Sequence, residues 1–91
     1  MKAIRWSSQK DEWLKTHRQI GFEEVVVKIN MGEILDIVEH HNEKRYPGQR
    51  IFILEFGDYA YLVPFVESEK EIFLKTLIPS RKATKRYLRG G

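Results

Sequence analysis

The stretch Pro79-Ser80-Arg81-Lys82-Ala83-Thr84-Lys85-Arg86 is the part of this chain best equipped to do chemistry. Ser80 ahead of a run free of helix breakers predicts the N-cap of a short basic helix ending at Leu88. Such a start sets free backbone N–H groups and the positive end of the helix dipole beside Arg81 and Lys82, which suits phosphate. Lys82, Lys85 and Arg89 share one face of that helix, whereas Arg81, Thr84 and Leu88 fall on another. The same residues also read as a solvated basic helix, and composition alone does not choose.

Proton transfer would fall first to histidine. His17, flanked by Lys15 and Arg18 near the end of a first helix, reads either as an acid or base or as a cation complementing the helix C-terminus. His40-His41-Asn42-Glu43 has the residue types of a metal site, but adjacent histidines on a strand point to opposite faces, and no metal is expected. Tyr61 lies on one strand face with Tyr59, Val63 and Phe65. An open face would set Tyr61 and Lys75 beside incoming RNA with the tyrosine as a stacking surface; a closed one makes the stripe core. Trp6 and Trp13 read as core. No Gly-rich phosphate loop, Ser/His/Asp set or paired carboxylates are present, so no cofactor is expected.

The charge is unevenly placed. Residues 1–18 carry Lys2, Arg5, Lys10, Lys15 and Arg18 against Asp11 and Glu12, and residues 79–91 carry five cations and no acid. The segment between them holds six basic and eleven acidic side chains. Two basic ends that met in space would make a polyanion site on an otherwise acidic protein. With 91 residues and 42% hydrophobic content the chain is expected to be a single globular domain, residues 1–91. The lack of cysteine fits a reducing cytosol, and there is neither a membrane-length apolar run nor a signal-peptide pattern. A cytoplasmic location with no membrane partner is the expectation.

The elements that must position these residues follow from periodicity. Residues 1–6 alternate as a short strand, Ser7-Ser8 caps a helix to His17 or Arg18, and Gly21 breaks it. Phe22, Val25, Val26 and Ile29 predict a second helix, with Gly32 at its C-terminal end. Residues 34–40 are read as a strand and 41–49 as the longest loop. Arg50–Phe56, the Gly57-Asp58 turn and Tyr59–Val66 form a hairpin, with Pro64 demanding a bulge or an exposed edge. Glu71–Ile78, containing Lys75, is read as a third meander strand. The expected fold is α+β: two N-terminal helices and a C-terminal helix on one face of a small antiparallel sheet.

Three places in this order resemble the BrnT-type toxins of bacterial type II toxin–antitoxin modules, which have a RelE-like ribonuclease fold. They are Trp6 followed by a helix and Phe22-Glu23-Glu24-Val25, Arg50 at the start of the hairpin, and Ile78-Pro79-Ser80-Arg81-Lys82-Ala83-Thr84 before the last helix. The likeness spans nearly the whole chain, and Arg81-Lys82-Ala83-Thr84 is its specific part. Where the family carries Lys-His-Gly before the phenylalanine, this chain reads His17-Arg18-Gln19, and its usual Ile-Gly reads Leu54-Glu55.

The resemblance implies a metal-independent endoribonuclease that cuts mRNA by attack of the ribose 2′-OH on the adjacent phosphate, silenced by a cognate antitoxin in a complex that can contain a toxin homodimer. It assigns phosphate and transition-state stabilisation to Arg50 and Arg81, RNA-backbone contacts to Lys15, Arg18, Lys82 and Lys85, and proton transfer to His17. Tyr61 or Lys75 stands in where histidine is not used. The alternative is a non-catalytic RNA-binding or protein-interaction module, a divergent relative of the toxins.

Overall fold

The computed structural model describes residues 2–42 and 44–89. Glu43 of the histidine motif and the terminal Gly90-Gly91 lie outside the described residues. The elements run β1 (Ala3–Trp6), α1 (Ser8–Arg18), α2 (Phe22–Asn30), β2 (Asp36–Glu39), β3 (Gln49–Phe56), β4 (Tyr59–Glu67), β5 (Glu71–Leu74), β6 (Ile78–Pro79) and α3 (Arg81–Leu88). The radius of gyration is 12.8 Å, close to the value of about 12 Å for a compact chain of this length. Among the described residues no helix is long and apolar enough to cross a membrane.

Side chains and one tight contact set the helix ends. The Ser7 hydroxyl accepts the Lys10 N–H at 3.3 Å to start α1, and Gln19 ends it in the left-handed region at φ 58°. Asp11, on the buried side of α1, accepts the Phe22 N–H on Oδ1 at 2.8 Å, so one helix caps the next. Gly21 is required there by space. A Cβ at this position would stand 2.8 Å from that carboxylate oxygen and 2.7 Å from Lys15 Cε. Gly32, at φ 73°, closes α2 through its N–H to the Ile29 carbonyl at 3.1 Å, beside Glu33 N–H to Lys28 O at 2.9 Å.

The β3–β4 hairpin turns on Gly57 and Asp58, both left-handed (φ 57° and 64°), the geometry whose twist matches the flanking strands. Its register is unbroken from Gln49↔Val66 to Phe56↔Tyr59, so of the two arrangements expected at Pro64, a bulge or an exposed edge, the bulge is absent. The Pro64 carbonyl accepts the Lys75 N–H at 2.8 Å, which turns the proline's missing donor toward β5, beyond that strand's last residue. The predicted third meander strand is accordingly split. β5 pairs with β4 up to Phe65↔Leu74, and β6 resumes at Leu62↔Ile78, leaving Lys75 in the connection instead of inside a strand.

Two further expectations change. The sheet is mixed, in the order β1-β5-β4-β3-β2 with β6 on β4, because β1 pairs parallel to β5 (Trp6↔Leu74). Its helices also cover both faces instead of one. Phe52, Leu54, Val63, Phe65 and Leu74 pack with Leu14, Phe22 and Val25 of α1 and α2. Their neighbours in the strands, Ile53 and Ala60, pack with Ala83 of α3, Tyr87 and Leu88 adding to that cluster. Successive strand residues face opposite ways, so α1 and α2 lie on one side of the sheet and α3 on the other. Trp6 joins the larger core, 5.9 Å from Phe22, whereas Trp13 stands 40% exposed because its neighbour Leu14 takes the buried side of α1.

Candidate functional site

The two basic ends do not converge. Lys15, His17 and Arg18 ride on α1 and Arg81, Lys82 and Lys85 on α3, and the sheet stands between the two helices. Lys15 is engaged locally: its ammonium lies 3.0 Å from Asp11 Oδ2. Burial alone would raise the Asp11 pKa, but the Phe22 N–H and the Lys15 ammonium outweigh it and hold the carboxyl below its ordinary value. The hydrogen bond to Asp11 raises Lys15 in turn. His17 stacks on Trp13 at 4.3 Å, and its Nδ1 lies 2.9 Å from the Trp13 carbonyl. A carbonyl can only accept, so Nδ1 is the donor in this contact. Arg18 lies over the same indole, 5.4 Å from its centroid, and Lys10 at 4.5 Å.

Arg50 and Tyr61 belong to the α1–α2 side of the sheet. Arg50 sits over Phe65 at 5.3 Å and pairs with Glu67, which also holds Lys2 at 2.6 Å. Hydrogen bonds from Lys2 and Arg50 lower the Glu67 pKa. This ion triad ties Lys2, the residue before β1, to β3 and β4 and neutralises the arginine expected to meet phosphate. Tyr61 packs on the main core, edge-on to Phe56 at 5.7 Å and to Tyr59 at 6.1 Å, so the tyrosine stripe faces the helices and the closed-face reading applies. Lys75 is exposed, over Phe73 at 5.9 Å.

On the other side, α3 and the sheet enclose a cleft of about 340 Å³. Val38, Ile51, Ile53, Leu62 and Ala83 form its floor, and Glu39, His41, Ser80, Lys82, Arg86 and Tyr87 its rim. Local sequence explains how α3 presents these groups. The Ser80 hydroxyl caps the helix by accepting the Ala83 N–H at 3.0 Å, and Thr84 inserts its hydroxyl against β4, accepting the Ala60 N–H at 2.8 Å. Ala83 and Thr84 are thus the docking half of the Arg-Lys-Ala-Thr stretch, 7% and 2% exposed, while Arg81 and Lys82 point outward. Lys82 and Arg86, one turn apart, follow the cleft, and Arg81 and Lys85 lie on the exposed outer side of the helix.

At the far end of α3 the Tyr87 hydroxyl donates to Asp36 Oδ2 at 2.6 Å. That bond raises the tyrosine pKa and lowers the carboxyl's, so Tyr87 remains a neutral donor that anchors α3 to β2. His40 and His41 follow β2 outside the strand and stack at 4.8 Å, which removes the premise that they face oppositely. His40 Nδ1 accepts the Asn42 N–H at 3.1 Å. Among the described residues, no cluster of three or more His, Cys, Asp or Glu is placed to hold a metal.

Of the residues to which the resemblance gives a role, the cleft gathers Lys82; it adds His41 and Arg86, which the sequence singles out without that role, and Glu39, which it does not single out. For Arg86 the available signal is its position four residues after Lys82. For His41 it is its place just after a strand on the sheet's edge. Comparison with protein-family models, with curated proteins and with solved structures finds no match. What the fold defines is an α+β protein with a mixed six-stranded sheet between an α1–α2 layer and α3.

Proposed function

We propose that this protein is a metal-independent endoribonuclease of the toxin type, and that it works in the cleft under α3. The observation that carries the reading is the placing of an imidazole, His41, on the same cleft as Lys82, Arg86 and the capped N-terminus of α3. In the reaction the His41 imidazole takes the proton from the ribose 2′-OH, and the 2′ oxygen bonds to the adjacent phosphorus. Lys82 and Arg86 neutralise the charge gathering on the phosphorane oxygens. The bond from phosphorus to the 5′ oxygen then breaks, with the Lys82 ammonium supplying a proton to the departing alkoxide. The products are a 2′,3′-cyclic phosphate and a 5′-hydroxyl. A cognate antitoxin would silence the protein by covering this cleft.

The test is expression of the chain alone. Growth arrest with loss of mRNA is expected, and Lys82→Ala with Arg86→Ala should relieve both. Normal growth at high levels of folded protein counts against the reading. A second reading, RNA binding without cleavage, is favoured by two observations: Arg50 is neutralised by Glu67, and His17 lies across the sheet from α3. It predicts salt-dependent RNA affinity with no product.

A further inference from the structure

The floor of the cleft is more than a phosphate site needs. Backbone phosphates are held by exposed cations over an open surface, and an apolar wall adds nothing to that. Here Ile51 and Ile53 of β3 and Leu62 of β4 lie beneath Lys82 and Arg86, between α3 and the edge strand β2. An aliphatic floor under a rim that carries two cations, Lys82 and Arg86, against one carboxylate, Glu39, suits a ligand with a flat apolar body and an anionic end. A volume of about 340 Å³ lies at the small end of ligand pockets, which run from about 300 to 1,000 Å³. It suits one such unit and not a stacked pair.

We infer that the cleft holds one unstacked nucleotide, its base on the Ile51–Ile53–Leu62 floor and its phosphate between Lys82 and Arg86, and that the protein thereby selects single-stranded RNA. This inference rests on the reading of the cleft as an RNA site and names the part of RNA that it takes. A base in a duplex is paired and stacked, and drawing it out costs that free energy, whereas an unpaired base enters without it. The selection comes from the floor, because rim cations meet the phosphates of single and double strands alike.

The test is a titration of the intact ¹⁵N-labelled chain at low salt with adenosine 3′-monophosphate, uridine 3′-monophosphate, ribose 5-phosphate and inorganic phosphate, read from backbone resonances. The nucleotides should bind about tenfold more tightly than ribose 5-phosphate, the scale that burying a few tens of Å² of apolar surface supplies. They should shift Ile51, Ile53 and Leu62 together with Lys82 and Arg86. Val38→Phe, which narrows the floor from β2, should reduce the advantage of the nucleotides over ribose 5-phosphate. Equal affinities with shifts confined to Lys82 and Arg86 overturn the inference, as does a folded protein that binds none of the four. The two readings fail separately. RNA cleavage without nucleotide preference removes the base site and keeps the nuclease, whereas nucleotide preference without cleavage removes the nuclease and keeps the base site.

Discussion

The hydroxyl of Thr84 accepts the backbone N–H of Ala60 at 2.8 Å and donates to the Ser80 carbonyl at 2.8 Å. Beside it the Ser80 N–H bonds to the Ala60 carbonyl at 2.9 Å. Both outward backbone groups of Ala60 are thereby satisfied by the start of α3, which continues the ladder that β6 leaves after two residues. The cleft depends on this junction because it fixes how Lys82 and Arg86 stand over the sheet.

Replacing Thr84 by valine keeps the shape and leaves the buried Ala60 N–H unpaired. The expected loss is about 1–3 kcal/mol, or about 4–8 °C in Tm for each kcal/mol in a domain of this size. Thr84→Ser keeps the hydroxyl and should recover most of it. Thermal unfolding decides, and a Thr84→Val protein as stable as the parent contradicts the role given to this bond.

The α1–α2 corner makes a second stability prediction. Asp11→Ala frees the buried Phe22 N–H and should cost about 1–3 kcal/mol. Gly21→Ala drives a Cβ toward Asp11 Oδ1 and should destabilise by an amount of similar order, about 1–3 kcal/mol. In the Asp11→Ala background the carboxylate is gone, and the Lys15 side chain it holds is released to move aside. The two losses should therefore be less than additive in urea denaturation, and strict additivity would separate the glycine from the carboxylate.

Much of this architecture is legible in the residues. Ser7, Gly57-Asp58 and Ser80 each act through local geometry, and all three stand where local rules place them. Which side of the sheet each helix covers is a long-range matter, decided by packing between segments far apart in sequence. A clue is nevertheless present. Ile51-Phe52-Ile53-Leu54 is apolar at every position, and an unbroken run marks a strand buried on both faces, as β3 is. The site is less legible because proximity in charge pattern is not proximity in space. The cations of α1 and α3 look alike in the sequence and lie on opposite sides of β3 and β4. Tyr61 alternates correctly with Val63 and Phe65, but alternation does not say which face stays open.

Acid should weaken the fold in a defined window. Asp11 and Glu67 have pKa values below their ordinary ones, so their ionised forms favour the folded state. That stability is present above the unfolded carboxyl values, about 4, and is lost as pH falls through the lower folded values. The urea midpoint should be flat from pH 7 to about 5 and then decline. Asp11→Asn and Glu67→Gln should each shallow the decline, and a variant with the parent's full slope would show that its carboxylate does not drive the acid response.

RNA affinity should separate the two basic ends. Removing one cation that pairs with a phosphate lowers the slope of log affinity against log salt by about 0.7–1. Lys82→Ala and Arg86→Ala should each do so, whereas Lys15→Ala, on the helix across the sheet, should leave the slope unchanged. A larger effect from Lys15 than from Lys82 would move the RNA to the α1 side.

The most direct test of the central claim is the chemistry of the RNA ends produced by the purified chain in the presence of a chelator. Cleavage of an unpaired RNA to 2′,3′-cyclic phosphate and 5′-hydroxyl ends is predicted, abolished by a 2′-deoxy sugar at the scissile position and strongly reduced in His41→Gln. Intact RNA after incubation with folded protein, or ends bearing 5′-phosphate and 3′-hydroxyl, would contradict it.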